Sequence, residues 1–488
     1  MRLMATTALA LALCLAACRQ PPLPEPEFKP VPPVEQSGEL VVLIRNGASS
    51  FYVDAEGKYA GLEYDLVTRF AEEMGVKVKF VVAPRVAEIP DKLARGEAHL
   101  AVGLLQGDDP RLVFSASYQA VQPVLVHHRD SNPPKSIGEI GERLLMVSGQ
   151  LAPSFRRLAN KTPGLIWHAA DYQDSEELVE KVANHLIDYA VIDTHGAEAA
   201  QNFYPDVATA FKVGPEQPLS WAWPKTAPAE FGGKVKKFFD GIRKDGTLGR
   251  LLDRYYGHVK RLKPVDAQEF LARRVTVLPR YRAHFVEAEA RYGIDWRLLA
   301  ALAYQESHWD PFATSPYGVR GMMMLTNDTA DRLGVDDRLD PYQSIMGGAR
   351  YLQMLKDRLP PHIAEPDRTW LALASYNVGT AHLSDARQLA QRLGKNPDAW
   401  VDLKTVLPLL RNYEYFSTLK YGYARGGETV IFVEHLRSYH DILVRFERTD
   451  QVMFPPFDEQ VSVANPEKVK LGIEARPKVK DGQMARVN

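Results

Sequence analysis

Apolar residues follow two different periods along the chain, and the change falls near residue 263. Within 39–263, the continuous apolar run Leu40–Ile44 predicts a buried strand, and Leu62–Met74 has the spacing of an amphipathic helix. A second set of such runs begins near residue 144 and includes Leu186–Asp193. Strands that alternate with helices predict an α/β domain over 38–263, with two similar lobes and mainly parallel sheets.

Beyond residue 263 the strand-like runs cease, which predicts an all-α domain over 264–449. Helices are expected within 266–310 and at 341–358, 366–377, 403–421 and 428–447. The end of the chain, 450–488, is rich in Lys and Pro and has no periodicity. This composition predicts a disordered tail.

Composition narrows the classes of function. The 488 residues are too many for one ordinary core, and 45% hydrophobic with 25% charged residues is normal for a globular protein. The formal net charge is −1, so the chain has no overall field that would attract nucleic acid. We therefore expect no nucleic-acid partner.

The first residues have the pattern of an export signal. Met1-Arg2 gives a positive start, and the apolar run that follows to Ala17 is too short for a confident membrane span. The run ends in Leu15-Ala16-Ala17-Cys18, which resembles the bacterial lipobox. The resemblance implies a signal peptide over 1–17 and a lipid on the sulfur of Cys18; a plain signal peptide with an incidental Cys is the alternative.

Cysteine usage favours the lipid. Both cysteines of the chain, Cys14 and Cys18, lie in this first segment, so the mature chain could form no internal disulfide. By lipoprotein habit, Arg19 in place of Asp implies the outer membrane, facing the periplasm. Residues 18–37 are rich in Pro and predict an extended spacer between lipid and protein.

The helix predicted from Asp295 onward carries a carboxylate on an apolar face. Leu299, Leu302 and Ala303 precede Glu306 by seven, four and three residues and share its face. Burial there would raise the pKa of Glu306, as a general acid requires. The alternative is a glutamate that reaches solvent at a helix end.

The front domain resembles family-3 periplasmic solute-binding proteins. The resemblance rests on Gly57–Leu66, Arg95–Leu100 with the following Phe114-Ser115, and Asp245–Leu248. It implies a two-lobed binding domain of no catalytic function.

The same resemblance implies two ligand-binding residues. Arg111 would bind a ligand carboxylate and Asp193 a ligand amine, a pairing that suits both side chains. Asp108 stands where the family usually has Thr, so an emptied or repurposed cleft is the alternative. A murein stem peptide or turnover fragment would offer both groups and is the ligand that we expect.

The rear domain resembles the lysozyme-like domain of family-1 lytic transglycosylases. Its motifs are Glu306-Ser307, Ser315–Gly318, Gly321–Met324 and Ala374–Gly379, in that order. The resemblance implies that Glu306 is catalytic and that Ser315, Met324, Tyr376 and Asn377 contact the sugar. Met324 stands where most members have Gln.

The resemblance implies cleavage of the β-1,4 bond between N-acetylmuramic acid and N-acetylglucosamine, with formation of 1,6-anhydromuramoyl ends. No second carboxylate accompanies Glu306 in these motifs, whereas ordinary glycosidases use two. A lysozyme-type hydrolase and a non-catalytic peptidoglycan-binding lipoprotein are the alternatives. No cofactor or metal is expected, because His127-His128 and the pair His435 and His440 lack a metal-ligand pattern.

Overall fold

The computed structural model describes residues 30–47, 49–53, 57–316, 318–447 and 461–463. Its front part contains two main sheets, each the centre of one lobe. The described strands of the first sheet run in the order Val461–Val463, Lys77–Val82, Glu39–Ile44, Leu100–Leu105, Gln217–Pro224 and Leu112–Phe114, with Gln119–Val121 also paired to Gln217–Pro224. Those of the second run in the order His168–Ala170, Leu145–Ser148, Tyr189–Asp193, Pro123–His128 and Val207–Lys212.

The prediction of mainly parallel sheets is wrong, because both sheets are mixed. Glu39–Ile44 pairs in parallel with both of its neighbours, but Gln217–Pro224 runs antiparallel to Leu100–Leu105. In the second sheet Pro123–His128 runs antiparallel to both neighbours. Each of these two strands enters its sheet directly from a strand of the other lobe, without the helical crossover that joins parallel neighbours. Strand-like runs alone do not show direction. A small antiparallel pair joins Tyr52–Val53 and Tyr59–Ala60.

Helices cover the two lobes. The predicted helix Leu62–Met74 is confirmed at both ends, since it stops where Gly75 takes a left-handed φ of 69°. Its face with Leu66, Val67 and Phe70 is buried in the core of the first lobe. The described helices of the front part are Val34–Ser37, Leu62–Met74, Val86–Glu88, Ile89–Ala94, Ile137–Glu139, Ala152–Ala159, Ser175–Ala183, Thr194–Gln201, Ala229–Lys244 and Thr247–Tyr256.

Helices make up most of the described residues of the rear part. Its helices are Pro264–Thr276, Leu278–Arg280, Arg282–Tyr292, Trp296–Ser307, Asn327–Leu333, Pro341–Arg358, Asp367–Val378, Thr380–Arg392, Trp400–Val406, Leu407–Arg411, Tyr413–Phe416 and Gly426–Phe446. The single helix predicted at 403–421 is wrong: it is broken after Val406 and after Arg411, and beyond Phe416 the chain forms a loop. The helix Thr380–Arg392 was not predicted, although Leu383, Ala386 and Leu389 place one apolar face in the core.

The helix Gly426–Phe446 crosses the rear domain and also touches the front one. Its Arg437 is buried and donates to the carboxylate of Asp253 at 3.1 Å and to that of Glu434 at 2.9 Å. Lys404 also pairs with Asp253, which lies on the last helix of the front part. Buried charges need partners, and here the partners join the two domains.

The predicted disordered tail is wrong at one point. Val461–Val463 forms a strand in parallel register with Phe80–Val82, at the edge of the first sheet. The rest of 450–488 lies outside the described residues, as do the predicted signal peptide and Cys18. Over the described residues, no helix combines the length and the apolar character that crossing a membrane requires.

Candidate active site and ligand cleft

The helix Trp296–Ser307 positions Glu306. Its N-cap, Asp295, accepts a hydrogen bond from the backbone of Arg297 at 2.8 Å. All residues from Trp296 to Tyr304 are buried, so the helix is fixed from every side. It ends at His308, whose φ of 53° turns the chain away. Glu306 therefore lies in the last turn of a rigid helix, where the core opens.

Glu306 is half-buried and has neither an ion-pair nor a hydrogen-bond partner for its side chain within the described part of the chain. Burial raises the pKa of Glu306 to about 8. Loss of water is the sole cause, and no neighbouring carboxylate contributes to the shift. At neutral pH the protonated form therefore predominates, and its proton is not held by another protein group.

Ser307 fastens the end of this helix to the methionine loop, residues 321–324. Its hydroxyl donates to the carbonyl of Met322 at 2.8 Å. The loop needs glycine at Gly321, where φ is 81° and a Cβ would collide with the carbonyl oxygen of Arg338. Met322 and Met323 are fully buried. Met324 is only half-buried and takes a positive φ of 48°, which turns it out of the core.

Tyr376 lies beside Glu306 and is held by the same loop. Its hydroxyl donates to the carbonyl of Met323 at 2.8 Å, and its ring lies 5.2 Å from that of Tyr351. Burial raises the pKa of Tyr376 well above its usual value, and the negative charge of Glu306 adds to the effect. This coupling shows that the two side chains are near each other.

Asn377 directly follows Tyr376, and Ser315 lies in the chain between Glu306 and the methionine loop. Asn377 is exposed, and its side-chain oxygen accepts from the hydroxyl of Thr429 at 2.8 Å. Ser315 lies in the loop between the helix and the methionine loop, where its backbone donates to the carbonyl of Val319 at 3.0 Å. The motifs that contain Glu306, Met324 and Tyr376 are thus brought together by the fold.

The front part contains a second concave site. A cleft lies between the two lobes. Asp193 lines it, at the N-cap of the helix Thr194–Gln201. Its carboxylate accepts from the backbone of Gly196 at 2.8 Å and from the hydroxyl of Ser175 at 2.9 Å. This carboxylate is therefore fixed in orientation and faces the cleft.

Arg111 does not line this cleft, contrary to the sequence prediction. It is about half exposed and pairs with Asp109 at 2.7 Å and with Asp91 at 2.8 Å. The cation that lines the cleft is Arg45, whose guanidinium donates to the side chain of Gln150 at 3.4 Å. Arg111 is displaced because Asp109, two residues away, holds it locally.

A sequence signal for Arg45 did exist. It directly follows the buried strand Glu39–Ile44, and the carboxyl ends of parallel strands are where such sheets bind ligands. His195 had no comparable signal. Its ring lines the cleft and stacks on the ring of Tyr256, 4.6 Å away. Tyr256 belongs to a helix that follows 61 residues later in the chain.

Comparison with known proteins agrees with this division of the chain. Residues 283–399 match the transglycosylase SLT domain, and residues 40–258 match the bacterial extracellular solute-binding proteins, family 3. A mutant of ArgBP from T. maritima has a similar structure, with 18% identity and a TM-score of 0.42, over 46% of this chain and 97% of that chain.

Relatives match nearly the whole chain. A membrane-bound lytic murein transglycosylase F of Methylobacillus flagellatus is 47% identical over 456 residues, which covers 92% of this chain and 95% of the relative. A protein of the same name from Nitrosospira multiformis is 47% identical over 427 residues, covering 87% and 89%. The chain therefore belongs to the family of the membrane-bound lytic murein transglycosylases F.

Proposed function

We propose that this chain is a peptidoglycan lytic transglycosylase in which Glu306 is the single acid and base. The proposal is carried by one observation: burial raises the pKa of Glu306 to about 8, and no second carboxylate among the described residues contributes to that shift. A hydrolase with two carboxylates would place the second within about 5–10 Å of the first, where its charge would be felt.

The reaction then proceeds in two proton transfers. Protonated Glu306 donates to the glycosidic oxygen between N-acetylmuramic acid and N-acetylglucosamine, and the bond from that oxygen to the muramoyl C1 breaks. The carboxylate of Glu306 next takes the proton of the muramoyl 6-hydroxyl, whose oxygen bonds to C1. The products are a free 4-hydroxyl on N-acetylglucosamine and a 1,6-anhydromuramoyl end. Glu306 is again protonated, and no water is consumed.

An internal nucleophile suits this site. The 6-hydroxyl belongs to the sugar that is attacked, so it is present at high effective concentration and needs only a base. Tyr376 supports the step by closing the side of the cleft next to Glu306. We assign sugar contacts to Tyr376, Asn377, Ser315 and Met324, since each borders the site. A thioether at Met324 offers the sugar an apolar surface instead of the hydrogen bonds of the Gln that most members have.

Digestion of purified murein sacculi, followed by mass spectrometry of the products, tests this function. Anhydromuramoyl ends are expected. Reducing ends would show that water is the acceptor and would replace the transglycosylase with a hydrolase. No release of product by a folded protein, while a control muramidase digests the same sacculi, would indicate a peptidoglycan-binding protein without activity.

For the front domain, 38–263, we propose a regulatory or sensing function toward a murein stem peptide or turnover fragment. Such a ligand offers an amine to the oriented carboxylate of Asp193 and a carboxylate to Arg45. We do not assign the ligand carboxylate to Arg111, because its guanidinium pairs with Asp91 and Asp109. Calorimetry with a free stem peptide tests this: heat that disappears in an Asp193→Asn variant is expected, and no heat with the intact protein would contradict it.

We also propose the cellular placement. The catalytic domain, 264–449, and the front domain would be exported by residues 1–17 and anchored through a lipid on Cys18. The spacer predicted over 18–37 would be shorter than expected, because Val34–Ser37 is a helix whose Val34 is buried in the first lobe. The protein would then lie at the periplasmic face of the outer membrane. Labelling of cells with a radioactive fatty acid tests the anchor: label in the intact protein and none in a Cys18→Ser variant is expected, whereas equal label in both would refute it.

A further inference from the structure

The loop that precedes the helix Gly426–Phe446 exposes aromatic side chains. Tyr413 is 76% exposed, Tyr421 46% and Tyr423 55%, and Phe416 is half-buried beside them. We name these four residues the aromatic shelf. Single exposed apolar side chains are ordinary in soluble proteins, but a cluster of them marks a surface that binds something.

The rings of the shelf form one surface. Phe416 lies at its centre, 5.5 Å from Tyr413 and 5.8 Å from Tyr423, in edge-to-face contacts. Gly422 takes a positive φ of 78° between Tyr421 and Tyr423, which lets both tyrosines stand at the surface. The rings of Tyr413, Phe416 and Tyr423 therefore contact one another, and Tyr421 lies two residues before Tyr423.

The shelf is rigid, so its exposure is not a consequence of a loose loop. Leu419 and Ala424 of the same loop are buried in the core of the rear domain. The backbone of Ala424 donates to the carbonyl of Leu410 at 3.1 Å, and the guanidinium of Arg392 donates to the hydroxyl of Thr418 at 3.1 Å. The fold thus holds apolar rings in water at a fixed position.

The shelf adjoins the segment that contains Tyr376 and Asn377. The backbone of Tyr421 donates to Asp385 at 2.8 Å, and its ring lies 6.5 Å from that of His382, six residues after Tyr376. On the other side, Thr429 follows the loop and donates to Asn377 at 2.8 Å. The C-terminal end of the loop therefore returns to the segment that follows Tyr376 and Asn377.

We infer that the aromatic shelf is a subsite for the glycan strand, beyond the two sugars that flank the scissile bond. This inference rests on the proposed function, because a polymeric substrate must continue past Glu306 along the protein surface. A pyranose ring presents a face of C–H groups that stacks on an aromatic ring, and its rim of hydroxyls can bond to a tyrosine hydroxyl. Tyr413 and Tyr423 on either side of Phe416, with Tyr421 beside His382, provide both kinds of contact.

A lipid membrane is the alternative ligand for an exposed aromatic surface, but the composition of the shelf favours a sugar. Tyrosine predominates over aliphatic residues, and the only large aliphatic side chain in the loop, Leu419, is buried. An anchor that enters the acyl region would place Leu, Phe or Trp outward. The position of the shelf near the active site is the second reason, since a surface that binds lipid would not have to adjoin the active site.

Binding of peptide-free glycan strands to the full chain tests the inference. The strands are prepared by removing stem peptides, so that the front cleft plays no part, and Glu306→Gln prevents turnover. We expect Tyr413→Ala with Tyr423→Ala to weaken binding of long strands about tenfold, since stacking contacts of this kind are worth about that factor. A disaccharide, which reaches only the sugars next to Glu306, should bind unchanged.

Two controls make the result specific. Tyr172→Ala removes an equally exposed tyrosine, 64% accessible, from the front domain and should leave strand binding intact. Tyr413→Phe with Tyr423→Phe keeps the rings and should retain most of the affinity. Equal binding of long strands by the double alanine variant and the parent overturns this inference and leaves the proposed function standing. No strand binding by the Glu306→Gln parent itself overturns both, and loss of binding to phosphatidylglycerol vesicles instead of strands would reassign the shelf to lipid.

Discussion

Burial raises the pKa of Glu306 in the rear domain and of Glu63 in the front domain, but the two carboxyl groups have opposite surroundings. Glu306 in the rear domain is half-buried, and the described residues provide no partner for its carboxyl group. Glu63 in the front domain is only 4% exposed, and both its oxygens accept hydrogen bonds, one from the hydroxyl of Tyr118 and one from the indole of Trp221 at 3.1 Å. Burial raises the pKa of Glu306 to about 8 and of Glu63 to about 7.

The difference shows what makes a buried carboxyl group available for chemistry. The hydrogen bonds from Tyr118 and Trp221 lower the pKa of Glu63 and so oppose the effect of burial, and they fix its carboxyl group in place. Glu306 has no such compensation, so it keeps its proton and can transfer it. A raised pKa alone therefore does not identify a catalytic acid; the absence of internal partners does.

Replacing each glutamate by glutamine separates the two roles. Glu306→Gln should reduce release of anhydromuropeptides from sacculi by about a thousandfold or more, because the amide can neither donate nor accept the proton. Glu63→Gln should stay within about threefold of the wild-type rate, as its side chain lies in another domain. Comparable activity of wild type and Glu306→Gln would remove Glu306 from the mechanism.

Stability should respond in the reverse order. Glu63→Gln turns an amide NH₂ toward one of two buried donors, which should lower the free energy of unfolding by about 1–3 kcal/mol in urea titrations. Glu306→Gln, which breaks no hydrogen bond, should not destabilise the protein. If both variants unfold at the same urea concentration as the wild type, the hydrogen bonds to Glu63 do not contribute measurably to the stability of the fold.

The pH dependence of stability has a definite sign for Glu63. Its pKa in the folded protein, about 7, lies above the ordinary value of 4.5. The folded state therefore holds the proton more tightly, so this contribution to stability is complete below about pH 4.5 and is lost as the pH rises through 7. Wild type should lose stability relative to Glu63→Gln between pH 5 and about 7.5. A constant difference across that range would contradict the raised pKa.

Activity should depend on the other glutamate. The acid form of Glu306 is needed, so kcat/KM should fall as the pH rises through about 8 and then decline about tenfold per unit. The same profile is expected in Glu63→Gln, because Glu63 takes no part in proton transfer. A fall centred near pH 5 would mean that Glu306 is ionised in the working enzyme and cannot be the acid.

Tyr376→Phe should have the smallest effect of this set. The hydroxyl of Tyr376 donates to the carbonyl of Met323, and its loss should leave that carbonyl unpaired at a cost of about 1 kcal/mol in stability. The ring remains beside Glu306, so activity should fall about tenfold or less. Rates below those of Glu306→Gln would show that the hydroxyl itself takes part in the chemistry.

The sequence alone determined the order of the motifs, the two classes of domain and the residue at the centre of the chemistry. The helix Leu62–Met74 and the helix from Asp295 follow from local periodicity and capping, which act within a few residues. Glu306 was recognised because its helix and the Gly321–Met324 and Ala374–Gly379 motifs stand in a fixed order. These features depend on neighbours in the chain, which a sequence displays directly.

Only the tertiary structure decided which side chains meet across long separations. It placed Arg45 in the front cleft and kept Arg111 on its own local carboxylates, a competition that sequence order does not show. It set two strands antiparallel, paired Val461–Val463 with the first sheet, and left the aromatic shelf in water beside Asn377. Burial and strand pairing depend on distant segments, and so the partnerless state of Glu306, on which its proton transfer depends, became visible only in the folded chain.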